Sequence, residues 1–148
     1  MPSNSNSKKI KFHFLESCTL KDRKHLKLFL SRLFAMEGKK LAALNYVFCS
    51  DKYLLKINKE YLNHDYYTDI LTFILSDQKE AIIADIYISI PRVKENSLKI
   101  GVAKEGELLR VIFHGALHTC GYKDKTSRQK AAMRKKEDEC LESFQSFT

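Results

Sequence analysis

Residues 81–90 read AIIADIYISI, and this run limits the fold more than any other feature of the chain. Side chains of a strand alternate between faces, so Ile82, Ala84, Ile86, Ile88 and Ile90 form one continuous apolar face. Ile83, Asp85, Tyr87 and Ser89 share the other, and Pro91 ends the strand. An apolar strand face must be covered, so helices and further strands have to come from the rest of the chain. Residues 9–15 (KIKFHFL) alternate polar and apolar and predict a strand; residues 41–49 and 70–75 predict two more. Apolar residues at 26, 29, 30, 33 and 34 have helical spacing, with Gly38 as the stop. Ser50 is placed to cap a second helix running to about Leu62. A short helix to about Lys99, a long one over 103–119 and a last one over 126–144 complete the order βαβαββ followed by helices.

That order predicts an α+β fold: a single domain over residues 9–148, with a small mixed β-sheet of about four strands packed against several helices. A chain of 148 residues with 44% apolar residues can build one core without disulfides or metal, so a metal site here would serve chemistry. Residues 1–8 form a Ser/Asn-rich polar tail expected to be disordered. The four cysteines, at 18, 49, 120 and 140, include no C-x-x-C pair and no dense secreted framework. The amino terminus lacks an apolar signal core, and no stretch approaches the ~20 apolar residues of a membrane span. The expectation is a reduced protein of the cytoplasm with no membrane partner.

Residues 113–124, FHGALHTCGYKD, carry the chemistry. His114 and His118 are four apart on a predicted helix, so both imidazoles leave the same face. A catalytic zinc commonly takes three protein ligands and keeps one position open for water. Gly121 lets the chain turn after the helix and brings Asp124 within reach, giving H-x-x-x-H-x-x-G-x-x-D. One zinc ion per chain on His114, His118 and Asp124 is the expected cofactor. Gly115 occupies the place where H-E-x-x-H zinc peptidases carry their glutamate base, which argues against peptide hydrolysis. The formal net charge of +8 suits a polyanionic partner. Lys123, Lys125 and Arg128, with Lys130, Arg134, Lys135 and Lys136 beyond them, follow the ligand motif directly. They are the candidate RNA-binding residues, with a solvated helix face as the plain alternative for the later members.

Several motifs in order resemble one family. His114, Gly115, Leu117, His118 and Gly121, preceded by Asn58 and Tyr61, then 68–73 (TDILTF), then Ala84-Asp85-Ile86, are similar to the hallmark segments of the YbeY endoribonucleases. The resemblance spans the chain from about residue 9. It implies a single α+β domain with one zinc, cleavage of single-stranded RNA, maturation of the 3′ end of 16S ribosomal RNA, ribosome quality control and association with the small ribosomal subunit. Three positions depart from the family pattern. Asp124 stands for the family's third histidine, Lys123 for the aspartate before it, and Leu62 for a basic residue after the tyrosine. The carboxylate at 124 adds a negative charge that should make a zinc-bound water less acidic than a three-histidine site does.

Around this motif two readings stand for each candidate. Glu107 and Arg110 share the histidine face, either as a group supporting an imidazole or as a surface ion pair. Asp85 is either the catalytic floor of the cleft, which the resemblance favours, or the solvent face of an edge strand. A monomer is the expected state. Two further readings compete with a zinc endoribonuclease: an RNA-binding factor of the ribosome with a structural zinc, and a zinc hydrolase of another substrate.

Overall fold

The computed structural model describes residues 7–146, so positions 1–6 of the expected polar tail lie outside the described residues. The strand that dominates the sequence is β4 (Ile82–Ser89), and it sits inside a four-stranded mixed sheet. Its neighbours are β2 (Leu41–Cys49), running parallel, and β3 (Ile70–Ile74), antiparallel. The remaining strand, β1 (Ile10–Phe14), pairs in parallel with β2, giving the order β1-β2-β4-β3. Among the described residues five helices flank the sheet: α1 (Arg23–Met36), α2 (Asp51–Leu62), α3 (Ile90–Ile100), α4 (Lys104–Thr119) and α5 (Ser127–Ser146). The α+β domain expected from the sequence is the fold observed.

Alternation along the strands divides the interior in two. Leu44, Tyr46 and Phe48 of β2 lie opposite Ala84, Ile86 and Ile88 of β4. These side chains join Leu26, Leu30 and Phe34 of α1, Ile112, Phe113 and Ala116 of α4, and Met133 and Cys140 of α5 in the main core. The Tyr46 hydroxyl, fully buried there, donates to the Ile112 carbonyl at 2.8 Å, so its burial leaves no polar group unmet. On the other face, Cys49, Leu54 and Leu71 form a smaller cluster with Ile57, Phe73 and Tyr87 beneath α2.

Helix ends follow the local sequence. Ser50 caps α2, its side chain accepting from the Tyr53 N–H at 3.1 Å. Ser89 caps α3 by accepting from Arg92 N–H, so Pro91 lies inside the first turn of a helix, where its missing N–H costs nothing.

Gly115 sets how closely α4 approaches the sheet. A Cβ there would lie 3.0 Å from Ile70 Cδ1 and 3.0 Å from Ile86 Cγ2. Position 115 therefore faces the sheet, and a glutamate in that place would be driven into the core instead of toward the histidines. Gly115→Val is expected to destabilise the protein by about 2 kcal/mol through overpacking, as measured by urea unfolding. An unchanged midpoint would show that α4 does not rest on Ile70 and Ile86 in this way.

Candidate functional site

His114 and His118 lie one turn apart on α4, with ring planes within 3° of parallel and centroids 6.5 Å apart. Each ring is held from behind. The His114 Nδ1–H donates to Glu137 Oε2 of α5 at 2.7 Å, and the His118 Nδ1–H donates to the Tyr122 carbonyl at 3.0 Å. Carboxylate and carbonyl oxygens only accept, so both bonds fix the proton on Nδ1 and leave Nε2 as the donor atom of each imidazole. Orienting an imidazole through its far nitrogen is how proteins prepare metal-ligating histidines.

After His118 the helix closes through Gly121 N–H to the His118 carbonyl and Tyr122 N–H to the Leu117 carbonyl, both at 3.0 Å. Gly121 has φ +110°, a backbone conformation suited to glycine, and so the turn expected there is present. The Tyr122 hydroxyl donates to Glu37 Oε1 at 3.0 Å, pinning the connection to the end of α1. The returning loop brings Asp124 Oδ2 to 3.3 Å from His114 Nε2. Two ligands about 2.1 Å from a tetrahedral zinc lie about 3.4 Å apart, so this spacing suits one edge of such a site. With Nδ1 already protonated, a lone pair on Nε2 facing a carboxylate needs a cation between them, either a proton or a metal. Burial opposes protonation of His114, yet the Glu137 hydrogen bond and the negative charges of Glu137, Asp124 and Asp69 together raise its pKa. An imidazole nitrogen and a carboxylate oxygen at this spacing are donors of the kind zinc takes. Among the described residues no three His, Cys, Asp or Glu side chains converge as a complete cluster, and the His114–Asp124 pair is the part already assembled.

Two cavities flank the histidines. One of about 200 Å³ is lined by Asp69, Glu107, Arg110, His114, Arg134 and Glu137 among others. A groove of about 740 Å³ opens at His118, with Lys39, Lys40 and Lys79 on its walls. Burial raises the pKa of Asp69, against the lowering effect of His114, its own backbone and Asn96. Burial also raises Glu107, with Arg110 opposing it.

The placement of the expected residues is mixed. His114 meets Asp124, Glu107 lines the same cavity as His114, and His118 lies one helical turn away at the neighbouring groove. Asp85 does not join them: it faces the opposite side of the sheet, where it accepts from Asn45 Nδ2 at 3.1 Å. Its neighbours Ala84 and Ile86 are the residues that face α4, so alternation alone puts Asp85 out of the cleft. The Glu107–Arg110 surface pair is not the arrangement found. Arg110 instead reaches α5, donating to Glu137 Oε1 at 2.9 Å and to Asp138 Oδ1 at 2.6 Å. Lys123, Lys125 and Arg128 are exposed on the loop and the first turn of α5. Cys120 is buried in the core, away from the histidine face, and burial pushes its thiol up to about 12.

Glu137 was not singled out by sequence, while Asp69 entered only within the 68–73 motif and Arg134 only as a later member of the basic run. For Glu137 a signal existed: Met133, Glu137 and Cys140 share the buried stripe of α5. A carboxylate on an apolar helix stripe demands partners, and Arg110 and His114 are those partners.

A family model described as Endoribonuclease YbeY matches residues 7–145. Among similar proteins, an Endoribonuclease YbeY of Cytophaga hutchinsonii is 48% identical over 122 residues, covering 82% of this chain and 85% of the relative. One from Flavobacterium johnsoniae is 43% identical over 135 residues, covering 91% of this chain and 96% of its own. The solution structure of TM1509 from Thermotoga maritima superimposes with a TM-score of 0.60 at 26% identity, covering 91% of this chain and 88% of that one. A match running from before the first strand almost to the end of α5 includes the whole histidine cleft, and the chain belongs to the YbeY endoribonuclease family.

Proposed function

We propose that this protein is an endoribonuclease that cuts single-stranded RNA with the help of one zinc ion held by His114, His118 and Asp124. The observation that carries the reading is the 3.3 Å approach of Asp124 to the Nε2 of a histidine whose other nitrogen is already committed to Glu137. Bound zinc supplies a Lewis acid that polarises a phosphoryl oxygen and activates the attacking group.

The residues of the chain do the rest. Glu137 and the Tyr122 carbonyl hold the two imidazoles in their ligating tautomer. Arg110 is fully engaged by Glu137 and Asp138, so its task is to hold Glu137 in place. Arg134 lines the smaller cavity without an ion pair among the described residues, and it is the cation placed to offset charge growing on the phosphoryl group. Lys123, Lys125 and Arg128 add exposed positive charge beside Asp124 for the RNA backbone. The membership of the chain in a family of endoribonucleases supports an RNA substrate, and ribosomal RNA on the small ribosomal subunit is the target we assign. Among the described residues no helix is long and apolar enough to cross a membrane.

The test pairs zinc content with cleavage of a labelled single-stranded RNA, using an A-form duplex as control. About one zinc per chain with cutting confined to the single strand supports the reading. Zinc without cleavage would assign the metal a structural role. Removing the extra negative charge with Asp124→His is expected to move the pH profile of cleavage about one unit toward acid. A profile that stays in place would sever Asp124 from the metal.

A further inference from the structure

The loop between α2 and β3 carries aromatic rings that neither core uses. Tyr66 is 55% and Tyr67 51% exposed, and both sit in a short segment just before Asp69. Exposed tyrosines on a free loop would be unremarkable, but this loop is braced. Asn58 Nδ2 donates to the Tyr66 carbonyl at 3.0 Å, the His64 N–H donates to the Asn58 carbonyl at 3.2 Å, and Lys59 pairs with Asp65 at 3.2 Å.

Each ring is also backed on one side only. The His64 ring stacks against Tyr66 with centroids 5.1 Å apart and planes 21° from parallel, while the Tyr66 hydroxyl hydrogen-bonds His64 Nδ1 at 3.0 Å. The Arg92 guanidinium lies 4.9 Å from the Tyr67 ring centroid and is itself anchored to Asp51 at 2.6 Å. The arrangement holds two aromatic rings at fixed angles, each supported from behind, with more than half of each residue's surface left to solvent. Such rings offer π-faces at little cost in conformational freedom.

Their position relates them to the cleft. Asp69 lines the cavity that contains His114, and two residues of extended chain span at most about 7 Å between Tyr67 and Asp69. A nucleotide whose base rests on Tyr67 therefore has its backbone within about one or two nucleotides of that cavity.

We propose that Tyr66 and Tyr67 form a stacking platform for unpaired bases of the RNA strand whose backbone enters the histidine cleft. The platform rests on the RNA-cleaving function proposed above, and it adds a source of strand selectivity to it. Bases in an A-form duplex are already stacked on one another and offer no free face, whereas single-stranded bases can splay onto aromatic rings. Stacking is tolerant of base identity, so the platform selects for unpaired structure over sequence.

The experiment measures binding of a labelled, nuclease-resistant 2′-O-methyl single strand and of the same strand made abasic, by fluorescence anisotropy on zinc-loaded protein. Wild type, Tyr66→Ala, Tyr67→Ala, the double alanine variant and the corresponding phenylalanine variants are compared. Each alanine is expected to weaken binding of the intact strand roughly tenfold. The phenylalanine variants keep the ring and should bind within about threefold of wild type. The abasic strand should bind weakly to wild type and no more weakly to the alanine variants, because it lacks the partner. Alanine variants that bind the intact strand as tightly as wild type would overturn the platform while leaving cleavage by the zinc site untouched. Equal weakening for intact and abasic strands would also overturn it, since the loss would then be one of backbone contacts or loop structure. Failure of wild type to bind the intact strand would overturn the platform, and failure to cut an unmodified single-stranded RNA assayed alongside would remove the RNA-cleaving reading and the platform together.

Discussion

His118→Ala is expected to empty the zinc site and to reduce cleavage of single-stranded RNA by roughly 10³-fold, equivalent to about 4 kcal/mol of transition-state stabilisation. The ring it removes is one of two parallel imidazoles whose Nδ1 atoms are both taken up by hydrogen bonds, leaving Nε2 of each as the donor atom. Two remaining ligands seldom retain zinc against competing solvent ligands, and polarisation of the phosphoryl oxygen goes with the metal. The Nδ1 of His118 bonds only the Tyr122 carbonyl, and the side chain is partly exposed, so folding should survive the substitution. Zinc by mass spectrometry and cleavage rates on the same samples check both halves. A variant that loses zinc but cuts at an undiminished rate, once contaminating nuclease is excluded, would remove His118 from the mechanism.

The second large effect lies 19 residues further along the chain, at Glu137. Glu137→Leu is expected to lower zinc affinity about 10–100-fold and stability by about 2 kcal/mol. The carboxylate has 7% of its side chain exposed and accepts from two donors at once, His114 on one oxygen and Arg110 on the other. Leucine fills the space but leaves the His114 Nδ1–H and one Arg110 N–H without an acceptor. Arg110 keeps Asp138, which limits the structural cost. Glu137→Gln restores one acceptor and should recover part of the affinity. Competition with a zinc chelator measures the affinity, and ring-nitrogen chemical shifts of His114 in metal-free protein report its tautomer. Unchanged shifts and affinity in the leucine variant would show that Glu137 does not orient the ring.

What the sequence disclosed follows from what can be read along a chain. The alternation in residues 81–90, the apolar spacing of α1, the Ser50 cap and the glycine stop after His118 are local signals, and each produced the element expected of it. The spacing of His114 and His118 is likewise local and carried directly into one helix face. Asp124 was within reach because a single turn separates it from His118. The contacts that support this motif are not local. Arg110 reaches α5 and not Glu107 three positions away, because α5 packs alongside and offers two carboxylates at 2.9 and 2.6 Å. Asp85 was misplaced for a different reason. Its position on the face opposite Ile86 was visible in the alternation, but which face α4 would cover depends on packing and on the absence of a side chain at Gly115. Lys39, Lys40 and Lys79 wall the groove at His118 from two loops distant in sequence, a convergence that no linear reading detects.

The support given to His114 by Glu137 has a consequence in time as well as in space. A polypeptide is made from its amino terminus, and Glu137 lies in α5, which follows both histidines in the chain. Both histidines and Asp124 are therefore synthesised before the group that orients the first of them. An unfinished chain, or one clipped ahead of α5, carries His114, His118 and Asp124, the ligands proposed for zinc, yet lacks the carboxylate that holds His114. The orientation of the first imidazole is therefore completed only when α5 docks against α4, which ties the geometry of His114 to the folding of that helix.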